Sequence, residues 1–463
     1  MPYNEYIFIT FIIVAVNGLE KQGKRQATAD RQPQAGEMWP NEMRPQPRLE
    51  LGRRAPQAPM LPLHHRGRRS LFGTSSIKKN AYFNFDSQGV DVVKRIFSLN
   101  FFDSFIIGIM TIAVPLLMLE RGIDIAAIGL VFAIASLAKL VIRTASGLIA
   151  DSVGDRLFYY LNGISTFAEV AAYWLSTTPV GFAVGKVLHG AKDSFIWAVN
   201  RSSLIAAAPS REHFVLGGMI SGRQFYFALG SLAVGLLFPL GGFEILFLLA
   251  AVLSIIMIFT SAKVKNRRAK SAIKLSDLSL KKKTKRFYET AGAMATGSTF
   301  YMVIVYLVAP IFFKSIGFSL QQIGLLYAAY FLIFGLALNI FSHMKINVRP
   351  AAVFGSLIFV VSLAGMGLAE TGLAAYFFLL MALGDSLLAF LWERIIYLDA
   401  RQSKNVATEI ALLHIPPGIG VFVAMGVSGF VVQQFGFSPI FIAGAISLAI
   451  YSAWCLRLEK LKG

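Results

Sequence analysis

The sequence predicts an all-α polytopic membrane protein, with twelve transmembrane helices in two pseudo-symmetric six-helix bundles. Three observations carry that prediction. The first is composition: 56% of the 463 residues are hydrophobic and 15% are charged, with a mean hydropathy of +0.61. Soluble chains carry about 25% charged residues. The second is spacing. Beyond residue 92, apolar runs near span length follow one another with short polar breaks, as helices of about 20 residues must to cross hydrocarbon about 30 Å thick. The third is an internal repeat. Gly122-Ile-Asp-Ile-Ala-Ala-Ile-Gly-Leu130 returns as Gly317-Phe-Ser-Leu-Gln-Gln-Ile-Gly-Leu325, an offset of 195 that also pairs Phe132 with Tyr327, Ala133 with Ala328 and Trp197 with Trp392. An offset of 194 pairs Gly242-Phe243, Phe247 and Ala251 with Gly436-Phe437, Phe441 and Ala445.

Taken in order, residues 1–92 read as a disordered basic extension. Ile7–Val16 is apolar but too short to span, and Glu5 stands where a signal peptide would carry a base. Arg31–Arg69 is rich in Pro, Gln and Arg and has little apolar period. The first six-helix half is expected over 93–262, a basic cytoplasmic linker over 263–286, and the second half with a short tail over 287–463. The breaks place helices near 95–119, 125–149, 156–176, 179–206, 213–238, 242–262, 288–313, 319–342, 350–368, 371–397, 405–433 and 436–457.

The formal net charge of +19 is concentrated in two segments. Residues 20–80 hold 13 Lys+Arg against 5 acids, and residues 263–286 hold 11 against 1. Aromatic residues are almost absent from both, which argues against nucleic-acid binding. Basic clusters beside membrane helices orient the chain and favour an anionic leaflet. The loops with Arg156, Arg211, the linker, Lys345, Arg349, Arg401 and Lys404 alternate with loops holding only Arg121 and Lys314. Both termini are therefore expected in the cytoplasm, with the chain multi-pass in the plasma membrane. The single cysteine, Cys455, excludes an internal disulfide.

Ionisable residues inside spans are the best pointers to a pathway, because each costs about 2.5–3.5 kcal/mol or more in hydrocarbon. On the fourth helix Lys186, His189, Gly190, Asp193, Trp197, Asn200 and Arg201 recur at helical spacing and form one stripe, with Asp193 near mid-span. Lys192 lies off that stripe. Asp103 shares a face of the first helix with Asn100, and Lys139 and Arg143 share a face of the second. Arg223 falls in the fifth helix, Asp385 and Glu393-Arg394 in the tenth, and His414 in the eleventh. Buried charges usually pair, so a bridge from Lys139 to Glu169 of the third helix is the expected structural use of that lysine. His414 reads more readily as a packing histidine than as a proton site. Pro416-Pro417 remove two backbone donors and should kink the eleventh helix. Gly218 and Gly222 read as close helix packing.

Between the second and third helices stands Gly147-Leu-Ile-Ala-Asp151-Ser-Val-Gly154-Asp155-Arg156, with Arg143 four residues earlier. This segment resembles the loop signature of the major facilitator superfamily, Gly-x-x-x-Asp-(Arg/Lys)-x-Gly-Arg-(Arg/Lys). Ser152 and Asp155 replace two of its bases. Asn200-Arg201 through Pro209 resembles a second stretch of that family, with Ser202 where an acid often stands. The resemblance covers roughly residues 93–458. It implies two parallel halves around a central cavity, with the first, fourth, seventh and tenth helices lining it. It also implies a gating loop of Gly147, Asp151, Gly154 and Arg156, in which Asp151 meets the start of the eleventh helix at Asn405–Glu409.

The function expected on these grounds is secondary active transport of a small organic solute by alternating access, coupled to protons, by a monomer. Asp103 and Asp193 are the expected proton carriers. Multidrug efflux by antiport and a non-cycling receptor or scaffold are the alternatives. First-half bases outnumber acids inside the spans, which leans toward an anionic or zwitterionic solute. The sequence has no Walker A motif, no His-Glu-x-x-His and no cysteine pair, so an enzyme, a cofactor and a metal site are not expected.

Overall fold

The computed structural model describes residues 87–207, 212–264, 283–344, 347–368, 371–400 and 406–460, all within the compact unit Lys79–Gly463. Among them the chain is helical apart from short connections and contains no strand. The helices are α1 (Ser87–Glu120), α2 (Ile125–Val153), α3 (Asp155–Leu175) and α4 (Pro179–Ala207). Glu212–Ala262 is continuous in hydrogen bonding, but non-helical backbone at Gly241 and Gly242 divides it into α5 (212–240) and α6 (243–262). α7 comprises Lys285–Val303, a π-helical turn Ile304–Val308, and Ala309–Ser315. Then come α8 (Leu320–His343), α9 (Val348–Leu368), α10 (Thr371–Ala400), α11 (Val406–Leu413 and Ile415–Phe435) and α12 (Ser438–Lys460). These are twelve rods. Nine stretches among the described residues are long and apolar enough to cross a membrane, one of them covering α5 and α6 together. The other two rods, α3 and α4, carry most of the buried charge. α1 begins at Ser87, inside the predicted extension, whose remainder lies outside the described residues, as does linker segment 265–282.

The repeat is visible in local chemistry. Asp124 caps α2 by accepting from the Ala127 amide at 2.8 Å. Ser319, 195 residues on, caps α8 in a capping box with Gln322. Gly122 and Gly317 stand at φ 76° and 93°, and Gly242 and Gly436 at 61° and 76°, a region that costs other residues energy. Pro115 of α1 corresponds to Pro310 of α7. Packing repeats too: α1 lies on α5 as α7 lies on α11, α2 on α4 as α8 on α10, and α3 on α4 as α9 on α10.

The halves meet along α2–α11 and α5–α8, and at both places glycine crosses glycine. A Cβ at Gly129 would lie 2.8 Å from the Gly429 Cα, and one at Gly324 would lie 2.8 Å from the Gly235 Cα. The repeat relates Gly129 to Gly324 and Gly235 to Gly429, so this is one contact used twice. Backbones that close leave room for no side chain, the small-residue packing of membrane helices. These crossings sit toward the end of the bundle opposite the linker. The expected close packing at Gly218 and Gly222 is not found. Their nearest neighbours are side chains at 3.9 Å and 3.7 Å, ordinary contact distances. α5 makes its close approach to α1 further along, at Gly230, where a Cβ would lie 3.1 Å from the Gly108 Cα.

Gly154 alone connects α2 to α3. Its φ of 96° reverses the chain, and its N–H caps α2 by donating to the Ala150 carbonyl at 3.1 Å. Arg156 is exposed on the first turn of α3. Gly147 and Asp151 fall in α2, where only the backbone is described, and the predicted contact of Asp151 with Asn405–Glu409 lies outside the described residues. α11 breaks at His414, just before the two prolines, and restarts with the Gly418 N–H donating to the His414 carbonyl at 3.0 Å.

Candidate functional site

A cavity of about 360 Å³ lies between the halves. α1, α2, α4 and α5 line it from one side, and α7, α8, α10, α11 and α12 from the other, while α3, α6 and α9 contribute nothing. Every predicted pathway residue reaches its wall except Asp103: Lys139, Arg143, Lys186, His189, Asp193, Arg223, Asp385 and His414. The α4 stripe divides. Lys186, His189, Asp193, Trp197 and Arg201 face the cavity, while Gly190 and Asn200 turn to neighbouring helices. At Gly190 a Cβ would lie 2.9 Å from the Lys139 amide nitrogen, so its absence lets α2 press against α4. The Ser194 hydroxyl donates to the Lys139 carbonyl at 3.2 Å across this contact.

That register decides the pairing. Lys139 forms its ion pair with Asp193, not with Glu169 as depth along the helices implied. Glu169 is occupied by two nearer groups, Lys192 at 3.3 Å and His189 Nδ1 at 2.7 Å. Lys192 also lies 3.5 Å from Asp103, and the Arg223 guanidinium lies 3.0 Å from the other Asp103 oxygen. Arg223 donates to Asn100 at 2.8 Å, and Asn100 and Asn200 exchange hydrogen bonds at 2.9 and 2.8 Å. Asp103, Glu169 and Lys192 are completely buried. Helices α1, α3, α4 and α5 are thus tied behind the cavity wall by one continuous chain of charge. Buried ions persist only in such company.

Toward the linker end, Trp197 stands between two guanidinium groups, Arg201 at 4.7 Å and Arg223 at 4.9 Å from its ring centre. Arg201 reaches across to Glu393 of α10 at 2.6 Å. Lys283 pairs with Glu409 at the start of α11. Lys186 lies 3.4 Å over the Phe132 ring and 5.5 Å from that of Tyr173. Among the described residues neither Lys186 nor Arg143 has an ion pair or a hydrogen bond.

The opposite wall is different. Asp385 accepts from the Tyr330 hydroxyl at 2.7 Å and has no cation within ion-pair distance among the described residues. Tyr301 and Tyr306 stand edge to face, ring centres 6.3 Å apart. His414 packs on Trp392 at 5.9 Å, and its Nδ1 lies 2.7 Å from the Ile410 carbonyl, the packed histidine anticipated from sequence, now on the cavity wall. Sequence reasoning missed the tyrosines. Their five-residue spacing puts them on different faces of an α-helix, and only the π turn brings them together.

A family model described as Major Facilitator Superfamily matches residues 96–307. No curated protein matches the chain.

Proposed function

Residues 96–307 belong to the major facilitator superfamily, and from that premise we propose that this membrane transporter carries a small organic solute by alternating access, coupled to protons. The observation that carries the reading is the cavity itself, lined by both halves and by Asp385, Lys186 and Arg143, none of which has an ion pair among the described residues. Intramembrane ionisable groups are expensive, and pathways are where they are used. The glycine crossings join the halves toward the end away from the linker, and the Arg201–Glu393 pair joins them toward the other.

Proton coupling belongs to Asp385 in this reading. Asp193 holds Lys139, Asp103 and Glu169 share Lys192, and Arg223 lies against the other Asp103 oxygen. Protonating any of these would strand a buried base. Asp385 is held by a neutral phenol, so it can take up and release a proton without unpairing any cation. The role expected of Asp193 and Asp103 gives way for that reason. The test uses liposomes holding a pH-sensitive dye and a panel of organic anions, cations and neutral solutes. Asp385→Asn should abolish solute-driven proton flux and keep solute counterflow. Asp193→Asn should lower thermal stability and every flux together. Solute movement without proton flux in the wild type would remove the coupling, and no solute movement would remove the transporter reading.

Orientation follows the loop bases, with the linker and both termini in the cytoplasm. In a Cys455→Ser background, outside labelling should fail at Lys283→Cys and succeed at Ser315→Cys. Efflux of cationic amphiphiles is the second reading, favoured by the aromatic rim around Asp385. The charge of the bound solute separates it from the first.

A further inference from the structure

We propose that Lys186 anchors an anion-binding subsite, and that the solute is a small organic monoanion, a carboxylate on an apolar or aromatic body. This rests on the transporter reading above. Five cations line the cavity, and three are already matched: Lys139 by Asp193, Arg201 by Glu393 and Arg223 by Asp103. Lys186 and Arg143 have no carboxylate within ion-pair distance among the described residues; Glu169 is the carboxylate whose charge acts on Lys186, and it is already taken by Lys192. Lys186 is the more deeply placed, with 6% of its surface exposed. Two aromatic rings hold its ammonium by their faces. Ring faces offer attraction but no acceptor for three N–H groups. A buried ammonium short of acceptors is costly, and an incoming carboxylate supplies what is missing with charge-assisted hydrogen bonds.

The geometry also selects the number of charges. Arg143 lies on the same face of α2 as Phe132, eleven residues further on, which is about 16 Å along the helix at 1.5 Å per residue. One carboxylate cannot reach both cations. Between them stands Lys139, neutralised by Asp193. The second half contributes Met302, Tyr306, Val421 and Met425 to the wall, soft and aromatic surface suited to an apolar body. A single charged head with a hydrophobic remainder fits this division, and a dianion of similar size does not.

The experiment compares three probes that share one body: 1-naphthoate, neutral 1-naphthamide and cationic 1-naphthylmethylammonium. Each is tested by thermal shift on the purified full chain in detergent at constant ionic strength. Naphthoate should raise the melting temperature and the other two should not. Lys186→Gln should weaken naphthoate roughly tenfold or more, the loss of a charged hydrogen bond, while Lys186→Arg should keep most of the affinity. The unliganded melting temperature of Lys186→Gln should not fall, since no partner is stranded; a purely structural lysine would lower it. Preference for the ammonium probe, equal naphthoate affinity in Lys186→Gln, or no naphthoate shift in the wild type each overturns the subsite. The wild-type comparison stands even if a variant fails to fold. Naphthoate bound through Lys186 but moved across no liposome would sink the transport reading and leave the subsite standing. Proton-driven movement of other solutes, with naphthoate neither bound nor competing, would do the reverse.

Discussion

The two halves share a scaffold and differ in chemistry. At the repeat offset Lys139 corresponds to Phe334, Lys186 to Met381, Lys192 to Leu387 and Asp193 to Leu388, and Arg223 corresponds to Pro417 at the offset of α5 and α11. The first half holds the ionic chain, and the second presents rings, methyls, Asp385 held by a phenol and Glu393 paired back to Arg201. Yet Gly129 and Gly324, Gly235 and Gly429, and Trp197 and Trp392 are the same on both sides. The glycines on which the halves agree hold the bundle together, and the two tryptophans line the cavity from both sides. Positions where they part carry the chemistry of the cavity, with the bases on the first-half wall and Asp385 on the second.

The largest effect that can break this comparison is at Lys192. Lys192→Met leaves Asp103 and Glu169 each short of a cation, and removing one partner of a buried ion pair costs about 3–5 kcal/mol. The same residue at the corresponding site, Leu387→Met, should cost less than about 1.5 kcal/mol as a volume-conserving change. Melting temperatures in detergent read both, and equal losses would mean that the halves do not divide the work as described. Next in size are Gly129→Leu and Gly324→Leu. Each inserts a side chain where a Cβ alone would lie 2.8 Å from a facing Cα, for which about 1–3 kcal/mol or more is expected. Here the comparison demands similar losses, and a difference well beyond measurement error would show that the two crossings are not equivalent. The smallest concerns Arg201 and Glu393, which join unlike positions across the halves with side chains 9% and 31% exposed. A double-mutant cycle with Arg201→Gln and Glu393→Gln should give a coupling of about 1 kcal/mol or less, and added salt should shrink it. A larger, salt-insensitive coupling would place this pair with the buried chain of charge.

Much of this was legible in the sequence because it depends on period. The spans, the repeat and the α4 stripe are patterns along one helix, and the cavity gathered eight of the nine residues those patterns singled out. Partnership depends instead on how one helix meets another. Depth alone matched Lys139 to Glu169. The register of α2 on α4 is fixed at Gly190, and it hands Lys139 to Asp193 while Lys192 and His189 take Glu169. Gly218 and Gly222 likewise carried the right residue type for a close crossing, but which glycines of α5 face a neighbour is set by tilt. Asp103 was expected among the cavity residues, and it stands behind the wall with Arg223 and Lys192.

The π turn at Ile304–Val308 changes the angular phase of α7 without changing its direction. Five residues along an α-helix leave two side chains about 140° apart, whereas a turn closed from i to i+5 brings them back nearly into line. Tyr301 and Tyr306 therefore share the cavity face. α1, the corresponding rod of the first half, is α-helical from Ser87 to Glu120, so α7 has an extra winding that α1 lacks. Beyond it Pro310, Gly317 and Ser319 are again in step with Pro115, Gly122 and Asp124. The second half has turned one short arc of its wall inward by rotation, and the scaffold on the far side of that arc still keeps the phase of the first.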